Sequence, residues 1–553
     1  MIVNWIKTFY RRINKHGKKM YDSEFSNWDQ DVFIINLKEQ IDRGALMSRY
    51  SRTKELDLRK LWLKEFKDNP ERGKNFYERV FVEYGDESIA ELVTAQVGIQ
   101  NVSNIVSKII EDNRIGLSYI EKSSRYVPYD EKVNGRFLYI EGEKIGLGGE
   151  LLRIYNEACD YLFETYSILL KKLLEKLKKI YPIETLEFEI DGKGMGLKEI
   201  EIENADVLVK AYNNAIRSRA LDEARYLLPA ATLTNVGVSG NARSYIRLMN
   251  RLLSSELKEA RSLGEKLKKE LYPVFSKLMD SMEKDYGKQM IEYESIYNVM
   301  DVKLLLEDKK STGKELVKLI NYPDDEDAVA NFILPYVFQR AGYFGADVKE
   351  LIKTGRINHR EIIEKISEIR KNRRNKIGRE GEFVNYTFMV STNFGAFREL
   401  HRHRTMTIIR GKLTTEYGYQ VPPTIMNDEE MLSLFNDAVK RTEEVYRKIR
   451  DFNKDISQYL VTFAHTYPVL INANLREIVY LTELRSTPQA HFDLRNISIE
   501  LKEKITRVNP SLSPLFKFVD TGNYPLGRLR AEIRKEKKIS ELERSKKNSY
   551  EIA

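Results

Sequence analysis

The chain has one cysteine, Cys159, in 553 residues. No intrachain disulfide can form, and a reducing cytoplasm is the expected compartment. No apolar run approaches the roughly 18 residues that a membrane-spanning helix needs. The sequence has neither a Gly-x-Gly-x-x-Gly fingerprint nor a Walker loop, so it supports neither Rossmann nor P-loop chemistry. The first residues run apolar (Met1, Ile2, Val3) and then basic (Arg11, Arg12, Lys15, Lys18, Lys19). A secretory signal has the opposite order, so none is expected. His401 and His403 alternate, but no cysteine, third histidine or carboxylate pattern completes a ligand set, and no metal site is expected. Cys159 lies within a helical pattern, which favours a packed thiol over a nucleophile.

What is present is a globular composition, 42% hydrophobic and 32% charged. The length implies two or more domains, each large enough for a core. The net charge of +9 and isoelectric point near 9.0 suit anionic partners: nucleotides, phosphorylated cofactors or nucleic acid. Part of the excess is local, in Arg370, Lys371, Arg373, Arg374, Lys376 and Arg379, and in a mixed basic tail from Arg528 to Lys547. A solvated helix face and a loose terminus are favoured for these over nucleic-acid contact. Apolar residues at steps of three and four predict helices over 151–174 and over Leu56–Phe66. Leu186–Ile190 alternates as a strand, with Asp191-Gly192 as its turn. Glu307–Lys314 reads as a linker, and Val317–Tyr322 as an opening strand.

The chain also repeats itself degenerately. The first copy has Gly85-Asp86-Glu87-Ser88, Ser123-Ser124-Arg125-Tyr126, Ala224-Arg225-Tyr226-Leu227-Leu228-Pro229 and Asn241-Ala242-Arg243. The second has Arg402-His403-Arg404, Asn474-Leu475-Arg476 and Leu484-Arg485. Aligned without gaps, Glu111-Asp112-Asn113 faces Arg402-His403-Arg404, Glu121 faces Lys412, and Arg125 faces Glu416. These exchanges reverse charge. Arg225 has Ala464-His465 as its comparable place. Two decayed copies of one site would scatter their losses. Losses that sort cleanly point to one composite site built across both copies.

These landmarks resemble the flavin-dependent thymidylate synthases (the ThyX family), as two copies in tandem. That family carries an Arg-His-Arg, a Ser-x-Arg-Tyr and a later Asn-x-Arg before a further arginine. The resemblance implies an α+β fold of two repeats, each a sheet flanked by helices, over residues 25–295 and 313–545, paired as a pseudo-dimer. Two chains would then restore the family's four-copy assembly. It implies reductive methylation of dUMP to dTMP, with FAD as cofactor and methylenetetrahydrofolate and NAD(P)H as co-substrates. Glu121, Ser123, Ser124, Arg125, Arg225, Glu399, Arg402 and Arg485 would meet the substrate, with Ser123 and Arg485 closest to the chemistry. Arg402, His403, Arg404, Asn474, Arg476 and Tyr480 would hold FAD. The sequence departs from the family in three places. Asp86 and Ile377 stand where a flavin-side histidine is usual, and Glu399 replaces a glutamine. The stretch from Arg402 to Glu416 is also slightly long.

The residue chemistry agrees. Arginine offers the planar, paired donors that phosphate requires. A carboxylate such as Glu416 in that position would repel it. Arg485 would stabilise negative charge developing on a uracil in a dry site. The plainer alternatives are a surface ion pair for Arg125, and pairing of Arg485 with Glu483 or Glu477. Two rival functions remain: a non-catalytic member of the fold that binds nucleotide or nucleic acid, and a related flavoenzyme acting on uracil within a polynucleotide.

Overall fold

The computed structural model describes residues 24–79, 87–190, 193–196, 202–299, 315–342 and 347–551. The N-terminal basic cluster, Gly85-Asp86, Asp191-Gly192 and Glu307–Lys314 lie outside the described residues. In chain order the strands are β1 (Thr94–Ser103), β2 (Leu117–Glu121), β3 (Glu187–Ile190), β4 (Lys193–Gly196), β5 (Leu233–Asn241), β6 (Val317–Asn321), β7 (Asn385–Asn393), β8 (Thr407–Arg410) and β9 (Thr466–Asn474). The helices that matter here are α1 (Asn104–Glu111), α2 (Gly149–Ile180), α3 (Ile202–Ala224), α4 (Ala242–Leu253), α5 (Phe394–Leu400), α6 (Glu429–Phe452), α7 (Leu475–Arg485) and α8 (Leu529–Glu551). The expected helix over 151–174, the short helix (Leu58–Glu65) and the strands at Leu186 and Val317 are all present. No helix among the described residues is long and apolar enough to cross a membrane.

The architecture is α+β, in two compact units. The first takes the described parts of residues 1–102, 106–121 and 234–305; the second takes those of 103–105, 122–233 and 306–553. The first unit holds a sheet of order β1-β5-β2, with β2 antiparallel to β5. The second holds an antiparallel sheet of order β6-β7-β9-β8 and the β3-β4 pair. In β9, Tyr467, Val469, Ile471 and Ala473 are buried while Leu470 is exposed, the two-residue period of a sheet with one face on the core.

The repeat is visible in this order. A strand, a short helix and a second strand (β1-α1-β2; β7-α5-β8) are followed later by a strand that runs into a helix (β5-α4; β9-α7). The Asn-x-Arg landmark has a local cause in both copies. Asn241 Oδ1 accepts from Ser244 N at 2.9 Å, and Asn474 Oδ1 accepts from Glu477 N at 3.0 Å. Each asparagine caps the helix that its strand feeds, which contributes about 1 kcal/mol.

Within the second unit, the segments preceding β5 and β9 exchange reciprocal backbone hydrogen bonds. Ala230 N–H donates to Val461 O (2.8 Å) and Phe463 N–H to Leu228 O (2.9 Å). Ala231 N–H donates to Tyr459 O (2.8 Å) and Ala464 N–H to Tyr226 O (2.9 Å). This pairing corrects the sequence alignment. It puts Gln458 at the place of Arg225, and Ala464-His465 at that of Ala231-Thr232. The long helices α2 and α6 also pack together, with Tyr161 Oη donating to Asp437 (2.6 Å) and Lys176 pairing with Asp428 (2.9 Å).

The basic stretches differ in part from expectation. Residues 370–378 form a loop rather than a helix face; Lys371, Arg374, Lys376 and Arg379 are exposed, as expected, but Arg370 is not. Arg370 is buried against Glu483 and donates to Leu515 O, and Lys376 lies 3.8 Å over the Tyr480 ring. The tail is not loose, because α8 packs on α3, where Ile533 meets Leu208 and Ala211. Burial of a few apolar side chains there outweighs the charge of the remainder.

Candidate functional site

A pocket of about 220 Å³ in the second unit is lined by Ser123, Ser124, Arg125, Tyr126, Arg225, Arg398, Glu399, Arg402, Leu484, Arg485, Thr487, Gln489 and Ala490. Arg125 and Arg225 come from the first sequence copy, and Glu399, Arg402 and Arg485 from the second. Five arginines thus surround one carboxylate. Arg225 directly follows α3, Arg398 and Glu399 sit in α5, and Arg485 ends α7.

Glu399 organises these cations. Its Oε2 accepts from Arg125 Nη1 at 2.9 Å and its Oε1 from Arg225 Nη2 at 3.3 Å. Arg485 Nη1 stands 3.9 Å from Oε2, and Arg485 Nη2 donates to the Glu399 backbone oxygen at 3.3 Å. Asp222 grips the other edge of Arg125, at 2.8 Å to Nε and 2.9 Å to Nη2. Arg398 Nη1 donates to Ser124 Oγ at 3.1 Å. Arg125 is therefore fixed as a buried network member rather than as a surface ion pair. Arg402 is the exposed arginine of the lining.

A second chain of bonds fixes Arg485. Its Nε–H donates to His403 Nε2 at 2.9 Å, so His403 Nδ1–H must donate to Glu477 Oε1 at 2.8 Å. His403 is thereby held neutral, and burial lowers its pKa further. Glu483 is taken by Arg370 and Glu477 by His403, so neither plainer partner holds Arg485. Burial lowers the pKa of Arg485, partly offset by Glu399, and burial likewise lowers that of Arg225. Burial raises the Glu399 carboxyl, but Arg125 and Arg225 outweigh it and hold the group at about 2. Burial opposes the charge of Arg125, yet Asp222 and Glu399 keep its pKa raised.

The residues expected to hold FAD are arranged differently. Arg402 and Arg404 are exposed. Both His403 nitrogens are engaged, Asn474 is a helix cap, and Arg476 pairs with Glu382 at 2.6 Å and donates to Ile377 O at 3.1 Å. Tyr480 is covered by Lys376. Both ring nitrogens of His403, the Oδ1 of Asn474, and the Nε and Nη1 of Arg476 serve protein partners. Of the expected set, Arg402 and Arg404 are the exposed cations, and their charge suits the diphosphate of a flavin dinucleotide.

Glu121 lies elsewhere. In the first unit, Lys108 Nζ meets Glu111 Oε2 at 2.5 Å and Glu121 Oε2 at 3.0 Å, and Ser107 Oγ donates to Glu121 Oε1 at 3.1 Å. Asn104 N–H donates to Ala230 O, and Gly395 N–H to the reciprocal Phe463 O. Counting along α1 and α5 then sets Lys108 at the place of Glu399 and Glu111 at that of Arg402. Strand register sets Glu121 (opposite Val236) against Arg410 (opposite Val469), each five residues before its capping asparagine. Lys412 is therefore not the counterpart of Glu121, because the first copy is two residues longer between its helix and this strand position. The charge reversal itself survives.

Sequence reasoning missed Asp222, Arg398, His491 and Arg528. His491 is fully buried, its Nε2 3.3 Å from Asp222 O, and burial together with Arg225 lowers its pKa to about 4. Arg528 lies 4.6 Å over the Tyr126 ring and 3.8 Å from Asp222. The spacing of Asp222, three residues before Arg225 in one helical turn, was the available signal for the first.

A family model described as thymidylate synthase complementing protein matches residues 38–276 and 318–511. A UPF0159 protein of Thermoplasma acidophilum is 46% identical over 507 residues, covering 90% of this chain and 98% of that protein. A UPF0159 protein of Chlamydia muridarum is 32% identical over 548 residues, covering 94% and 98%. A flavin-dependent thymidylate synthase of Pyrococcus abyssi is 22% identical over 155 residues, covering 26% of this chain and 62% of that protein. With two matched segments and one strand-helix order in both, the chain belongs to the thymidylate synthase complementing protein family, as two copies in tandem.

Proposed function

We propose that the arginine pocket takes the phosphate and pyrimidine of dUMP, and that the chain is a thymidylate synthase-like enzyme forming dTMP with methylenetetrahydrofolate and NAD(P)H. The observation behind this reading is that five arginines, drawn from both copies, surround Glu399 in one small pocket. A phosphate monoester beside Arg402 would offset the excess positive charge, each charge-assisted hydrogen bond contributing about 1.5–3 kcal/mol. Arg485, aimed by His403 and Glu399, would favour negative charge on the uracil ring. Ser123 would add a hydroxyl. Glu399 sets the spacing of the cations rather than meeting phosphate.

The reciprocal hydrogen bonds around Pro229 and Thr462 support pairing of the copies as a pseudo-dimer with one productive pocket per chain. Conversion of dUMP to dTMP by the purified chain, with its absorbance spectrum recorded first, tests the proposal. Turnover with a bound yellow chromophore supports it. A second reading, a nucleotide-binding member without flavin chemistry, is favoured by the engagement of both His403 nitrogens with Arg485 and Glu477. It predicts dUMP binding by a colourless protein with no turnover.

A further inference from the structure

The first unit contains a larger pocket, about 400 Å³, that the dUMP reading does not use. It lies where the second copy is closed. In the second copy, Lys376 covers Tyr480 and Arg370 is buried on Glu483. Counted from the capping asparagines, Arg247 and Asn250 occupy those two places in the first copy. Both line the open pocket.

Arg243, Arg247 and Arg251 follow one another at steps of four along α4, so their guanidinium groups share one face, and all three line the pocket with Arg114. Like charges at this spacing repel. Arg243 has Glu91 at 2.9 Å, and Asp112 and Glu294 also line the pocket. Burial raises the pKa of Glu294 and so weakens it as a counter-charge. Cations remain in excess. The pocket also carries hydrogen-bonding groups of both kinds. Asn250 is 8% exposed, and its Oδ1 has no hydrogen-bond partner among the described residues; the buried Nδ2 of Asn113 has none either. Buried polar atoms without partners are uncommon in folded proteins.

We infer that this pocket binds a nucleoside phosphate, with the α4 arginines on the phosphate and the Asn113 and Asn250 amides on the donor and acceptor edge of the nucleoside. The volume is within the range of small-molecule sites. The inference does not depend on catalysis at the Arg402 pocket.

The test uses the full chain carrying Arg402→Ala, so that the other cationic pocket is weakened, and calorimetric titration with inorganic pyrophosphate and with UMP. The chain should bind both. Adding Arg247→Gln and Arg251→Gln should weaken both by roughly tenfold or more per arginine. Asn250→Leu should weaken UMP while sparing pyrophosphate. Arg247 is exposed, so its removal leaves the core untouched, and thermal melts without ligand verify folding. If Asn250→Leu melts early, Asn250→Asp replaces it and should weaken both probes by charge repulsion. No pyrophosphate binding, or binding unchanged by loss of both arginines, overturns the anion site. UMP binding insensitive to Asn250 overturns its assignment to nucleosides.

Discussion

The two copies of the site are electrostatic inverses. In the second copy one buried carboxylate, Glu399, gathers Arg125, Arg225 and Arg485, and the excess charge opens onto a pocket beside Arg402. In the first copy one buried ammonium, Lys108, is matched by Glu111 and Glu121. Lys108 is fully buried there, and its two carboxylate partners are also buried. A cluster with surplus cations favours an anionic ligand; one ammonium between two carboxylates carries the opposite surplus and disfavours one. The contrast explains why losses sort by copy. Where one copy keeps the cations, the other holds carboxylates around a buried lysine.

The largest expected effects come from removing the central charge on either side. Glu399→Ala strands three cations, and Lys108→Met strands two carboxylates. Each should cost about 3–5 kcal/mol of unfolding free energy in denaturant titrations, the cost of an unpaired buried charge. A small loss in Lys108→Met alone would show that the first cluster is solvated and would break the comparison.

Acid should act next on the Glu399 cluster. Glu399 is held at about 2, below the ordinary carboxyl value of 4.5. Its contribution is therefore complete above about pH 4.5 and is lost as pH falls toward 2. His491 is held neutral, down to about 4 from 6.5, so it destabilises progressively as pH falls from 6.5 toward 4. Melting temperatures across this range should fall less steeply between pH 6.5 and 4 for His491→Gln than for the parent chain. Ser124→Ala removes an acceptor from the buried Arg398 and should cost roughly 1–3 kcal/mol. Lys412→Ala should be the mildest: its pair with Asp455 is half exposed and contributes at most about 1 kcal/mol.

Much of this was legible in the chain itself. The apolar stripe from Leu151 to Leu173 marks α2, and the reversed charges at Glu111 and Arg402 mark the inversion. The residues chosen for the substrate pocket come together, apart from Glu121, which answers Lys108 instead. What the sequence hides is commitment. Asn474 reads as a ligand contact in a motif, but the helix start at Leu475 needs a cap whatever binds nearby. His403 reads as a flavin neighbour, but its two nitrogens serve Arg485 and Glu477. The two-residue excess before Glu121 is invisible to an ungapped alignment and becomes visible only when β2 and β8 are registered on their partner strands. Lys108, a lone cation between Val106 and Ile110, was a further available clue to the inverted cluster.

The proposed function rests on a dUMP pocket assembled from both copies. Its most direct test is dUMP affinity, measured by calorimetry in chains that carry Arg247→Gln and Arg251→Gln to weaken the first-unit pocket, alone and with Arg402→Ala or Lys412→Ala added. The account predicts binding that weakens by roughly tenfold or more in Arg402→Ala and is unchanged in Lys412→Ala. Equal affinity in all three, or equal loss in both variants, would contradict it.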